Sequence, residues 1–186
     1  YEKGFSTKAI LNLYRLVDWL MMLPEDMTKK EFLEHVKAHP DDETAFTSNF
    51  TLIRRREGKL AAIPYSEAYA TELEKAAGLL KEAAELTENP SLETYLISRA
   101  AAFSSNNYRQ SDMDWVDLSD HDLEVVIGPY EVYEDALFGY KAAFESFITR
   151  VDRDESAKLA RISKYTNELE KHLPIDDQFK NFNRGK

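Results

Sequence analysis

Apolar residues return at helical spacing through much of this chain and give way to strand-like runs in two places. Ile10, Leu13, Tyr14, Val17, Leu20 and Met21 recur every three to four positions, which predicts a helix from Ser6 to Leu23 ended by Pro24. Thr28-Lys29-Lys30-Glu31 has the form of a capping box, in which hydroxyl and carboxylate each satisfy an orphan backbone donor; it predicts a shorter helix ending near His39-Pro40. Phe50 to Arg56 and Leu60 to Tyr65, joined by Glu57-Gly58-Lys59, predict a β-hairpin, with Pro64 placing the second strand at an edge or at its own end. Ser66 is expected to cap a long helix to Thr87, with Tyr69, Leu73, Ala76, Leu80 and Ala84 on one face. Asn89-Pro90 breaks it, and Ser91 is expected to cap a helix to Ser104. A connection this short makes the two helices an antiparallel pair.

Asn106 to Asp120 reads as a polar, irregular stretch around Trp115. The most β-prone segment follows, Asp122 to Asp135, where acidic and phenolic side chains are threaded through apolar ones. A helix from Glu155 to Leu173 should close the domain, with Leu159, Ile162, Leu169 and Leu173 as its apolar stripe. The pattern as a whole predicts an α+β fold, with about five helices packed on a small, mostly antiparallel sheet. One domain is expected over residues 1–173, followed by a linker-like tail, 174–186.

Composition narrows the class. The 186 residues are 43% hydrophobic and 31% charged, as in a folded globular chain long enough for one real core. The formal net charge of -10 argues against a nucleic-acid partner, because phosphate contacts need clustered Lys and Arg. The one basic run, Arg54-Arg55-Arg56, reads as a solvated strand edge. Without cysteine there is no disulfide and no thiolate nucleophile or ligand. Asp18 interrupts the best apolar run, Leu16 to Leu23, far short of the ~20 residues of a membrane span, so no membrane partner is expected. A cytoplasmic location is the default expectation. The start at Tyr1 suggests a segment of a longer polypeptide.

Candidate chemistry is sparse. His35 and His39 stand at i and i+4, a spacing that can put two imidazoles on one metal. Val36 occupies the place of a zincin Glu and no third ligand is evident from the sequence, so a surface role outweighs a metal site and no metal ligand is assigned. Asp112 and Asp114 begin like a calcium loop, but position 116 is Val and the loop glycine is missing, which leaves at most a weak cation-dependent hydrolase over Asp112 to Asp122. Gly-rich phosphate loops and the Nudix signature are absent. Glu131 and Tyr133 remain. On a strand they share a face ~6.5–7 Å apart, and a peptide advances about as far over two residues. A carboxylate can hold an ammonium group and a phenol can donate to a developing oxyanion. Ordinary cross-strand pairing of both is the alternative, and from spacing alone it is the stronger of the two.

Ile127-Gly128-x-x-Glu131-x-Tyr133-x-Asp135-x-x-Phe138-Gly139, continuing to Phe144-Glu145-x-Phe147, resembles the motif of the dipeptidyl peptidase III family of zinc metallopeptidases. The variant residues Pro129 and Tyr130, with Tyr140-Lys141-Ala142-Ala143, resemble a bacterial branch of zinc-dependent hydrolases, some of whose relatives carry a fused Nudix domain that spreads a Nudix label. The resemblance spans Phe50 to Leu173. It implies that Glu131 binds the free amino group of a peptide, that Tyr133 contacts the scissile region as a catalytic residue, and that Glu145 lies at the substrate cleft. It also implies zinc in the full-length enzyme, bound by a His-Glu helix that this chain lacks, since no His is followed by Glu here. The expected function is therefore a substrate-binding domain, not catalytic alone, whose partners are a peptide or small-molecule substrate and the zinc-bearing remainder of the same polypeptide. The alternative is a helical protein-interaction or scaffold module.

Overall fold

The computed structural model describes residues 22–132, 135 and 138–183. The helix expected from Ser6 to Leu23 falls almost wholly on residues outside these. Among the described residues there are eight α-helices and two separate two-stranded antiparallel sheets, so the fold is α+β. Four of the five expected helices fall on described residues; two of these are each broken into two, and two short helices had no sequence signal, which makes eight. None of the helices is long and apolar enough to cross a membrane.

Helix α1, Lys29–Ala38, begins at Thr28, whose Oγ1 accepts from the Glu31 N–H at 3.1 Å. The Glu31 carboxylate meets the Thr28 backbone, as a capping box requires, and also accepts two bonds from Arg55, at 2.8 and 2.9 Å, while Arg55 Nε donates to Asp26 at 2.8 Å. Arg56 reaches Glu67 at 2.9 Å and stays 60% exposed, so two of the three arginines of this solvated edge carry acidic partners. A 3₁₀ turn, Pro40–Asp42, and a short helix α2, Glu43–Thr47, lead into β1, Thr51–Arg56, which pairs with β2, Lys59–Pro64. Glu57 and Gly58, at φ 51° and 80°, form a two-residue turn whose twist matches that of the strands.

Ser66 is not a cap. The helix after β2 starts at Pro64, so Ser66 lies inside α3, Tyr65–Ala68, and Tyr69 at φ −117° breaks the chain before α4, Ala70–Leu86. Tyr65 explains the break: it is fully buried and donates its hydroxyl to the Ala142 carbonyl at 2.8 Å, which pins the chain there. The next helix, α5, Pro90–Ser105, is capped by Asn89 and not by Ser91. Asn89 Oδ1 accepts from the Leu92 N–H at 2.9 Å, and Pro90 fills the first helical position. Asn106, in the left-handed region, ends it.

The stretch expected to be irregular holds a helix, α6, Arg109–Val116. Tertiary packing makes it helical. Tyr108 and Ser111 are buried, and Asp112 pairs with Arg99 of α5 at 2.6 Å. Strands β3, Leu123–Glu131, and β4, Ala143–Arg150, form the second sheet; β4 had no separate sequence signal. The closing helix is interrupted at Lys164–Tyr165, giving α7, Arg153–Ser163, and α8, Thr166–Lys171. Its apolar stripe does not enter this core: Leu159 is 66% exposed and Leu169 57%.

The largest buried cluster joins Leu73, Leu80, Tyr95, Leu96, Phe103 and Val125 from α4, α5 and β3, and a second joins Phe32, Phe46, Ile53 and Leu60 under the first hairpin. Two buried cations bind these parts together. Arg99, at 0% exposure, lies 5.3–5.5 Å from the ring centroids of Tyr95, Tyr108 and Tyr130. Lys141 donates from Nζ to Phe46 O at 2.6 Å, Ser48 O at 2.8 Å and Thr51 Oγ1 at 2.8 Å. Burial lowers the Lys141 pKa to about 8, against the opposing pull of Asp135.

Arg99 and Asp112 differ in exposure, 0% against 47% for the side chains, so their loss should be unequal. Asp112→Ala strands a buried guanidinium and is expected to cost about 3 kcal/mol or more in urea unfolding. Arg99→Met keeps the stem and leaves a solvated carboxylate, so it should cost clearly less. The reverse order would show that the cation does not depend on Asp112.

Candidate functional site

The second sheet positions the residues singled out by sequence. Gly128 pairs with Glu145 and Pro129 with Phe144, but Glu131, not Tyr130, stands opposite Ala143. Tyr130 is thus the extra residue of a β-bulge. Its consequence is one of parity. Residues opposite each other point to one face, as do residues two apart on one strand. Glu131 therefore shares the face of Ala143 and Glu145, as diagonal neighbours roughly 7–8 Å apart. In a regular ladder it would face the other way.

The bulge is held from beneath. Tyr130 donates its hydroxyl to Asp112 at 3.2 Å, and its ring covers Arg99. Gly128 lies so close that a Cβ there would meet Arg99 Nη1 and the Tyr130 ring at 3.0 Å each. Burial raises the Tyr130 hydroxyl well above its ordinary pKa, so it stays a donor.

Beyond the bulge the loop is closed by Asp135, which is buried and accepts from the backbone N–H groups of Gly139, Tyr140 and Lys141 at 2.8, 2.6 and 2.9 Å. Gly139 has φ 71°, and a Cβ there would meet the Val132 carbonyl at 3.0 Å. Asp135 and Gly139 of the motif thus shape the loop. Tyr133 lies outside the described residues.

Glu145 lines a groove of ≈ 580 Å³ between α4 and β4, with Tyr69, Leu73, Leu79, Ile127 and Phe144 as apolar walls. Desolvation, and then the nearby charge of Glu131, raise the Glu145 pKa above the ordinary 4.5. The arrangement is a pair of neighbouring carboxylates at the edge of an apolar groove, a setting that favours a cation such as an amine.

The other candidates are scattered. Trp115 Nε1 and His121 Nε2 both meet Glu124, at 2.7 and 2.8 Å. Asp112 and Asp114 sit on α6, where Asp112 serves Arg99 and Asp114 accepts from Gln110 at 2.9 Å, so the calcium-loop reading has no loop to stand on. Arg99 and Lys141 had escaped sequence reasoning, since a buried cation looks like a surface one until its partners are known. Asp42 had escaped too, and it meets His35 at 3.2 Å.

Residues 34–184 match the profile of Peptidase family M49. A structure of dipeptidyl peptidase III from Caldithrix abyssi superposes with a TM-score of 0.82 at 61% identity, over 89% of this chain and 32% of that one. Dipeptidyl-peptidase III from Corallococcus sp. strain EGB gives 0.75 at 46% identity, over 86% and 30%. Among curated proteins, Nudix hydrolase 3 of Arabidopsis thaliana is 38% identical over 179 residues, 23% of its length, and rat dipeptidyl peptidase 3 is 29% identical over 114 residues. The chain is a peptidase-related α+β domain. It belongs to peptidase family M49, and it spans about a third or less of the length of these relatives. The Nudix name agrees with the expected spread of that label, because the matched segment carries no Nudix signature. The family's zinc set does not fit the residues present here: no His-Glu pair occurs in the sequence.

Because the folded pKa of Glu145 is raised, its protonated form is favoured by folding and its ionised form costs stability. That cost is absent below about pH 4.5 and grows as pH rises through the folded pKa. Glu145→Gln is therefore expected to raise the Tm at pH 7 and to leave it unchanged near pH 4. A thermal melt at the two pH values checks this; an equal shift at both would remove the electrostatic cause.

Proposed function

We propose that this chain is the substrate-binding domain of a dipeptidyl peptidase III-like zinc metallohydrolase, gripping the amino end of a peptide. The observation that carries the reading is the bulge that turns Glu131 onto the face of Glu145, beside the apolar groove. Glu131 holds the ammonium group, Glu145 adds a second negative charge at the cleft, and Tyr133, two residues along, reaches the scissile region. The apolar walls take up side chains without regard to their polar detail. Zinc and the general base belong to other residues of the longer enzyme.

The remainder of that polypeptide is the second partner. Leu159, Ile162, Leu169 and Phe179 are each more than half exposed along α7, α8 and the following turn, and Phe147 and Ile148 are likewise exposed on β4. So much exposed apolar surface favours a covering partner, and relatives about three times as long supply one in cis.

A short peptide with a free amino terminus should bind the isolated chain, and Glu131→Gln should weaken it about tenfold or more by calorimetry. Acetylating the peptide should have the same effect. Equal affinity for the variant would take Glu131 out of the amine-binding role and favour the scaffold reading. The chain alone should not hydrolyse dipeptidyl-naphthylamides; metal-dependent turnover would contradict a binding role separate from the zinc.

A further inference from the structure

The end of α1 carries a second group of ligand-type side chains, independent of the peptide site. His35 and His39 lie one turn apart, so the helix sets them side by side. The His39 N–H donates to His35 O at 2.9 Å, ending the helix, and Pro40 opens a 3₁₀ turn in which the Asp42 N–H donates to His39 O at 3.0 Å. This folds Asp42 back over the last helical turn. One ligand atom from each of His35, His39 and Asp42 then lies within 4.8 Å of the others.

Three features make this more than proximity. His35 is held between His39 and Phe46, with ring centroids 4.4 Å from each, and keeps only 14% of its side chain exposed, so its orientation is fixed before any ion arrives. Its Nε2 stands 3.2 Å from Asp42 Oδ2, close to the ~3.3 Å edge of a tetrahedron with 2.0–2.1 Å bonds. His39 Nδ1 lies 3.1 Å from the His35 carbonyl, which can only accept, so Nδ1 carries the proton and Nε2 keeps a lone pair. Histidine ligands are oriented this way, by a hydrogen bond from the other ring nitrogen. His39 is exposed, so an ion can reach its free ring nitrogen from solvent. The carbonyl-rich end of the helix adds negative potential, and the half-exposed Asp42 leaves positions open to water.

We propose that His35, His39 and Asp42 form a transition-metal site distinct from the family's His-Glu zinc set. Two imidazoles and one carboxylate select zinc, copper or nickel over calcium or magnesium. An ion here braces the Phe46 ring, whose own carbonyl accepts from Lys141, and so stiffens the packing behind the β3–β4 loop.

The test is a calorimetric titration of Zn²⁺ alone into the chelator-stripped full chain at pH 7.5. One ion per chain is expected at micromolar Kd, with a Tm rise of about 5–10 °C at a hundredfold excess over Kd. His39→Gln, an exposed change that leaves the core intact, and Asp42→Asn should each weaken binding tenfold or more. His172→Gln, beside Glu168 on exposed α8, should leave it unchanged. Imidazole resonances of His35 and His39, and not of His121 or His172, should shift. Undiminished binding in His39→Gln, equal loss in His172→Gln, or no saturation below about 1 mM would overturn the site.

Discussion

The buried guanidinium of Arg99 is the constraint on which the second half of the molecule depends. A cation taken out of water must be compensated, and Arg99 draws that compensation from three elements at once: the Asp112 carboxylate on α6, the Tyr95 face on its own helix, and the Tyr130 face at the end of β3. Beyond the Asp112 contact, the guanidinium is lodged among the rings of Tyr95, Tyr108 and Tyr130. The Tyr130 ring occupies the space that a side chain at Gly128 would fill. To reach it, the strand admits one extra residue. That bulge decides which face Glu131 takes. A charge placed in a helix thus fixes the orientation of a carboxylate on a strand.

Lys141 plays the corresponding part for the first half. Its three donors meet acceptors from α2, the following turn and β1, while the adjacent residue Ala142 donates its N–H to Asn49 O at 2.9 Å and accepts from Tyr65. Asp135 closes the intervening loop on the same residue from the other side. The segment carrying Glu131 is therefore fastened at both ends by buried charges. This suits a binding surface that must present two repelling carboxylates without relaxing away from them.

How much of this was legible in the sequence follows from what each signal depends on. Local signals held: the Thr28 cap, the Glu57-Gly58 turn and the break at Asn89-Pro90 all rest on backbone chemistry within a few residues. Where a tertiary partner decides, the sequence was mute or misleading. Ser66 looked like a cap because the burial of Tyr65 could not be seen. The stretch 109–116 looked irregular because its helix is held by Arg99, and the stripe of α7 and α8 looked like core although it stays exposed. Glu131 was singled out with Tyr133 through a spacing that assumed a regular strand, and Glu145 only through the motif. The bulge is what changes their relation.

The two carboxylates also explain why an amine, more than any neutral ligand, suits the proposed site. Desolvation first, and then the nearness of Glu131, raise the pKa of Glu145. A proton relieves that repulsion at low pH, and an ammonium group between the two would relieve it at neutral pH without protonating either. The two cations compete for one negative field, so an amine would bind with release of a proton wherever Glu145 is partly protonated. A neutral amide terminus gains none of this. Selection of a free amino end, on this account, comes from the unfavourable charge pair that the bulge creates, and the fixed backbone around Arg99 and Lys141 keeps that pair from moving apart in the absence of substrate.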